Sequence, residues 1–138
     1  RDRDNGDRGE TGPPGVDIAS ENLSFSNGNV GIGTSDPSST LHLAGSIALP
    51  IRRTTSNTTL DENDYTIIMT NKNLTINLPN ASDCPGRIYI LKNISKGNNT
   101  TNIDYICNKG FLQNSLNKNK AVWLQSDGVD WQQINIQH

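Results

Sequence analysis

Few residues in this 138-residue chain carry groups that could move a proton, attack a substrate or hold a metal. Histidine occurs twice, at His42 and at the final position, His138. His42 lies between two leucines and far from any serine nucleophile signature, so a Ser-His-Asp relay has no basis. Carboxylates gather in two places, Asp61-Glu62-Asp64 and Asp127-Asp130. A glycosidase would need two of them about 5–10 Å apart across a cleft. Both clusters fall where turn signals are strong, and aspartate is ordinary in turns. No catalytic residue is assigned, the chain is not expected to be an enzyme, and no cofactor is implied. Cys84 and Cys107 could form one disulfide or remain two buried thiols. Neither has a histidine or a second cysteine at ligand spacing, so no metal centre is expected there.

Binding chemistry is better supplied. In the run Ala121-Val122-Trp123-Leu124-Gln125, strand alternation puts Trp123 and Gln125 on the face opposite Val122 and Leu124. Trp123 is thus the aromatic ring expected to face solvent, where it could stack on a sugar. Asn98, Asn99 and Lys118 fall in polar segments read as exposed loops, 96–101 and 114–120, with a third at 80–84. These five residues are the candidate ligand contacts. Trp131 is assigned to the core, and Tyr65, Tyr89 and Tyr105 to core or inter-chain packing.

Composition narrows the partners. Net charge is −2 and no basic cluster exceeds Arg52-Arg53, so neither nucleic acid nor electrostatic membrane attachment is supported. No apolar run approaches the length of a spanning helix, so membrane insertion is not expected. Leu, Ile, Val and Phe total 31 residues, little for a single-chain core, and burial between chains would make up the difference. Asparagine (19 residues) and Ser plus Thr (24) disfavour helix and suit turns and solvated strand faces. Seven Asn-x-Ser/Thr triplets occur, at Asn22, Asn57, Asn73, Asn80, Asn93, Asn98 and Asn99, a slight excess over chance for this composition.

Gly6, Gly9, Gly12 and Gly15 recur at strict period three, with charged pairs and then Pro13-Pro14 between them. Three polyproline-II chains wind together only when the crowded axial position has no side chain, so this is the collagen pattern and predicts a parallel homotrimer; the alternative is a turn-rich disordered tail that spaces glycine by chance. The segment spans roughly 30 Å at about 3.1 Å per residue. That is too short to hold three chains alone, so a neighbouring module must trimerise. Arg3 interrupts the register one triplet upstream, and the repeat reads as the end of a longer stalk.

The remaining elements are expected to be all β. Residues 1–15 form the stalk end and 16–28 a neck, with Val16, Ile18, Leu23 and Phe25 as an apolar plug. Residues 29–50 hold two short strands joined by a tight loop, with Val30, Ile32, Leu41 and Leu43 as trimer contacts alongside the four glycines. Residues 51–138 form a sandwich- or barrel-like head. There 52–59 reads as one solvated strand, and further runs follow at 65–69, 74–78, 87–92, 102–107, 121–125 and 130–136. Asp127-Gly128 is the strongest hairpin signal.

The residues Asn29-Val30-Gly31-Ile32-Gly33-Thr34, Pro37, Leu41-His42-Leu43 and Gly45 resemble a recurrent shaft segment of phage tail fibres and tailspikes. Tyr65-Thr66-Ile67, Leu74 to Ser82, Cys84, Gly86 to Asn93, and Leu124-Gln125-Ser126-Asp127-Gly128 with Trp131 resemble a β-domain at the ends of viral and bacterial fibre-like proteins. The resemblance implies a trimeric, virion-surface fibre or spike module. Its head would meet a host-cell glycan or receptor, and its stalk other virion structural proteins. A purely structural trimerisation cap of a collagen-like surface fibril, with no ligand, is the alternative. Cysteine is common in that pattern at the position of Cys84 but not of Cys107, which argues against their pairing. Fibre needles that bind iron on a threefold axis use paired histidines, so the single His42 is a poor axial metal ligand. A depolymerase of the tailspike kind would need a much larger β-helix.

Overall fold

The computed structural model describes residues 23–136. The glycine triplets Gly6, Gly9, Gly12 and Gly15, and Val16, Ile18, Asn22 and His138, lie outside these residues. Contacts divide the chain into two units between Ile47 and Ala48. Of the expected neck plug, Leu23 and Phe25 are described and both are exposed.

The first unit contains β1 (Val30–Ile32) and β2 (Leu41–Leu43). They pair in parallel, Val30 opposite Leu41 and Ile32 opposite Leu43, and not as the simple tight-loop pair that the sequence predicts. The connection over 33–40 must therefore carry the chain back to its start before β2 begins. Glycine makes this possible. A Cβ on Gly31 would lie 2.5 Å from the Thr34 carbonyl oxygen, and Gly33 has φ +81°, where other residues are strained. Val30, Ile32, Leu41 and Leu43 leave much apolar surface uncovered within the single chain, Ile32 and Leu41 most of all.

The second unit is essentially all β and forms one nearly closed, barrel-like sheet. Its strands are β3 (Ile51–Thr54), β4 (Thr58–Thr59), β5 (Thr66–Met69), β6 (Thr75–Asn77), β7 (Ile88–Asn93), β8 (Asn99–Ile106), β9 (Leu112–Leu116), β10 (Lys120–Ser126) and β11 (Trp131–Gln133). The order is β3-β5-β7-β10-β11-β8-β6-β4, with β9 on β8. Successive strands β3 to β8 alternate between two parallel ladders, β3-β5-β7 and β4-β6-β8. The chain thus winds three times, laying each strand pair on the one before. The antiparallel strands β10 and β11 then bridge β7 to β8 and nearly close the sheet. Closure fails between β3 and β4, the two ends of the order.

Two expectations are corrected here. Residues 52–59 are two strands, not one, because the chain bends at 55–57 and the Thr54 and Thr58 hydroxyls meet across the bend at 2.6 Å. The expected loop at 114–120 is mostly strand: β9 takes 112–116 and β10 starts at Lys120. In β9 only Leu116 is buried, so the alternation that marks a strand is faint.

Buried side chains fill the space between the ladders, among them Ile67, Met69, Ile76, Tyr89, Leu91, Tyr105, Leu116, Leu124 and Trp131. Trp131 packs against Tyr89 with ring centroids 5.4 Å apart, and its indole N–H donates to the Pro79 carbonyl at 2.9 Å. Cys84 and Cys107 are free, buried thiols.

Candidate functional site

The corners of the winding are held by asparagine side chains that act as substitute backbone. Asn99 accepts the Leu74 N–H through Oδ1 at 2.7 Å and donates from Nδ2 to the Asn71 carbonyl at 3.0 Å. Asn57 accepts from Thr75 N–H, and Asn102 from Leu78 N–H. Asn93 donates to the carbonyls of Gly97 and Leu116 while accepting from Ser95 N–H. An amide carries one donor group and one acceptor like a peptide, so it can satisfy strand ends for which no neighbouring strand exists.

Two such corners, at 70–73 and 94–98, lie side by side. Asn73 has φ +62°, a conformation asparagine tolerates, and its N–H donates to the Asn98 carbonyl. The Lys72 stem lies over Gly97, so close that a Cβ there would sit 2.9 Å from it. Between the corners is a cleft of about 600 Å³ lined by Thr70, Asn71, Lys72, Asn73, Ile94, Ser95 and Lys96. Asn98, at the end of the second corner, is not among the lining residues; its Oδ1 accepts the Lys118 backbone N–H at 3.0 Å. Among the described residues the ion pair is Arg52 with Asp64, so Lys72, Lys96 and Lys118 have no carboxylate partner. The result is a shallow surface on which Thr70, Asn71 and Ser95 donate inward to the Thr54, Thr55 and Gly97 carbonyls, leaving Lys72 and Lys96 as its charged groups and exposed Ile94 as an apolar patch. Its lining holds neither carboxylate nor histidine.

Of the residues singled out from sequence, Asn98 and Lys118 are joined by that backbone contact, and neither lines the cleft. Asn99 is not available: it is 1% exposed and its amide is spent on Leu74 and Asn71. Trp123 is 42% exposed, opposite buried Val122 and Leu124 as alternation predicts, but sits on the outer face of β10 facing Ile90. Gln125 shares that face, and its amide donates to the Gly86 carbonyl. Lys72 and Ile94 escaped the sequence reading because only the parallel stacking of the two corners makes them neighbours.

The acidic clusters serve the turns. Asp64 takes a two-pronged contact from the Arg52 guanidinium, 2.7 and 3.3 Å, and also accepts the Asp61 N–H. Arg52 holds its carboxyl below the ordinary range, against the opposing effect of burial. Asp127 is likewise held down by the Asp130 N–H, the Gln132 amide and the Val129 N–H. His42 accepts the Ser38 N–H through Nδ1 at 3.1 Å, a turn contact within the first unit. Among the described residues no group of three His, Cys, Asp or Glu side chains is placed to hold a metal.

Comparison of the chain with protein-family models, with curated proteins and with solved structures gives no match.

Proposed function

We propose that this chain is a module of a trimeric fibre or spike on a virion surface, whose head attaches to a host-cell glycan. On this reading Gly6 to Gly15 wind as a collagen-like stalk, residues 29–50 continue the shaft, and the barrel-like unit is the head. The observation that carries the reading is glycine at every third position beside Pro13-Pro14, since only a three-chain helix demands that spacing. The likeness of residues 29–45 to fibre shaft segments supports it. So do the fixed, lysine-bearing corners, which suit an acidic sugar. Three shallow clefts on one rigid trimer add by avidity, so none has to be deep.

The test is a glycan array probed with the full chain, after light scattering has given its mass in solution. Binding of acidic glycans by a three-chain species, weakened at least tenfold in a Lys72→Ala/Lys96→Ala double variant, is the expected result. A trimer that binds nothing on the array would leave only the structural cap. A one-chain species would end the fibre reading altogether.

A further inference from the structure

The two ladders of the head turn unlike faces outward. Where β4, β6 and β8 run together the outer residues are Thr59 beside Asn77 and Thr75 beside Thr100, all polar; farther along β8, Ile106 lies beside Leu112 of β9, an apolar pair outside that shared stretch. On β3, β5, β7 and β10 one row runs Ile51, Thr66, Ile90, Trp123, and Ile134 extends it by donating its N–H to the Trp123 carbonyl. In the row on one side of it Ile68 lies between Arg53 and Lys92, and in the row on the other side Ile88 stands opposite Gln125. Ile51 is 65% exposed, Ile134 48% and Trp123 42%. Five of these apolar side chains point away from the core, since their chain neighbours Ile67, Met69, Tyr89, Leu91, Val122, Leu124 and Gln133 are buried, and Ile51 shares their face because it is in register with Thr66 while Arg52 is in register with buried Ile67.

A sheet that is apolar on both sides is one covered on both sides; a sheet with one wet face alternates apolar and polar. The β4-β6-β8 ladder follows the second rule and the β3-β5-β7-β10 ladder the first, within one fold. A chain with only 31 Leu, Ile, Val and Phe has set five isoleucines on this outer face. Surface of this kind marks an interface. We propose that its occupant is another copy of this chain: the outer face of β3, β5, β7 and β10 is where the heads of the trimer pack together. This rests on the three-chain reading above, because the glycine triplets require identical chains to run side by side and so bring three copies of the face into one assembly. The face is poorly made for sugar, with Gln125 already bonded to Gly86 and Thr66 the one other neutral polar group in the rows. The flexible stems of Arg53 and Lys92 can lie along its border. Trp123 is thus an inter-chain contact, and the sugar-binding role falls to the corners.

Hydroxyl-radical footprinting of the unaltered 138-residue chain in its trimeric form tests this without altering the fold. Ile51, Trp123 and Ile134 should react at least fivefold more slowly than Val129 and Phe111, which are 80% and 56% exposed elsewhere on the head. In parallel, Trp123→Arg and Ile90→Asp should raise the trimer dissociation constant at least tenfold with far-UV circular dichroism unchanged. A variant that misfolds leaves the footprint to decide. A wild-type trimer whose Ile51, Trp123 and Ile134 react as freely as Val129 overturns the face and spares the three-chain reading. A wild type of single-chain mass, 15.1 kDa, at micromolar concentration overturns both, as does a monomer whose Trp123 emission shifts with phosphatidylcholine vesicles.

Discussion

Asn99 and Leu74 are joined as if they were partners in a strand ladder, although one of the two groups is a side chain: Oδ1 of Asn99 receives the Leu74 N–H at 2.7 Å in a buried position. The other end of the same amide holds the Asn71 carbonyl. Asn99→Ala leaves both peptide groups without partners, at about 1–3 kcal/mol each for whatever part remains buried. Urea denaturation should show a loss of about 2–4 kcal/mol, large against the usual 5–15 kcal/mol total.

Trp131 separates packing from hydrogen bonding. Trp131→Ala should cost about 3–5 kcal/mol, the range for deleting a large core ring. Trp131→Phe keeps a ring against Tyr89 and orphans only the Pro79 carbonyl, so its cost should be about 1–3 kcal/mol. Chemical denaturation of both variants reads the difference.

Alkaline stability should report on Tyr105. Its hydroxyl donates to the Ser115 carbonyl and accepts from the Gln113 amide, and burial pushes its phenol from 10.0 up to about 12. The folded state thus favours the protonated form, and its advantage is complete below pH 10 and lost as pH rises from there to about 12. The melting temperature should fall steeply over that window, and Tyr105→Phe should flatten the fall.

Acid acts through the turn carboxylates. Asp64 and Asp127 both titrate below their ordinary 3.8 when folded, so their contribution is complete above that pH and disappears as pH falls below it. Asp64→Asn and Asp127→Asn should each lower stability at pH 7 and make the melting temperature less dependent on pH below 4.

Gly31→Ala should open the β1-β2 pair, since its new Cβ would meet the Thr34 carbonyl. Amide exchange at Val30 and Ala44, which bond across that pair to Thr40 and Ile32, should quicken at least about tenfold.

Much of the strand content was legible in the sequence, and the pairing was not. The Asp127-Gly128 hairpin follows from local turn chemistry, with Gly128 at φ +91° as that turn requires. The buried side of β10 follows from alternation alone. Parallel pairing of residues as distant as Thr66 and Ile90 leaves no local signal, and without it the Lys72–Lys96 cleft cannot be foreseen. Asparagine was misread most. Its abundance suggests solvated turns, yet Asn93 and Asn99 are buried in the sheet's own hydrogen bonding. The excess of Asn-x-Thr triplets is partly the trace of this repeated corner, with Asn57, Asn73 and Asn99 at the entries to β4, β6 and β8.

Because the corners at 71–73 and 95–97 are bonded to the strands beside them through the amides of Asn93 and Asn99 and to each other through Asn73 and Asn98, their lengths and the strand registers are coupled. An extra residue at either corner would have to break one of these ties or shift the strand it leads into. Such a scaffold admits changes of side chain at its corners more readily than changes of length.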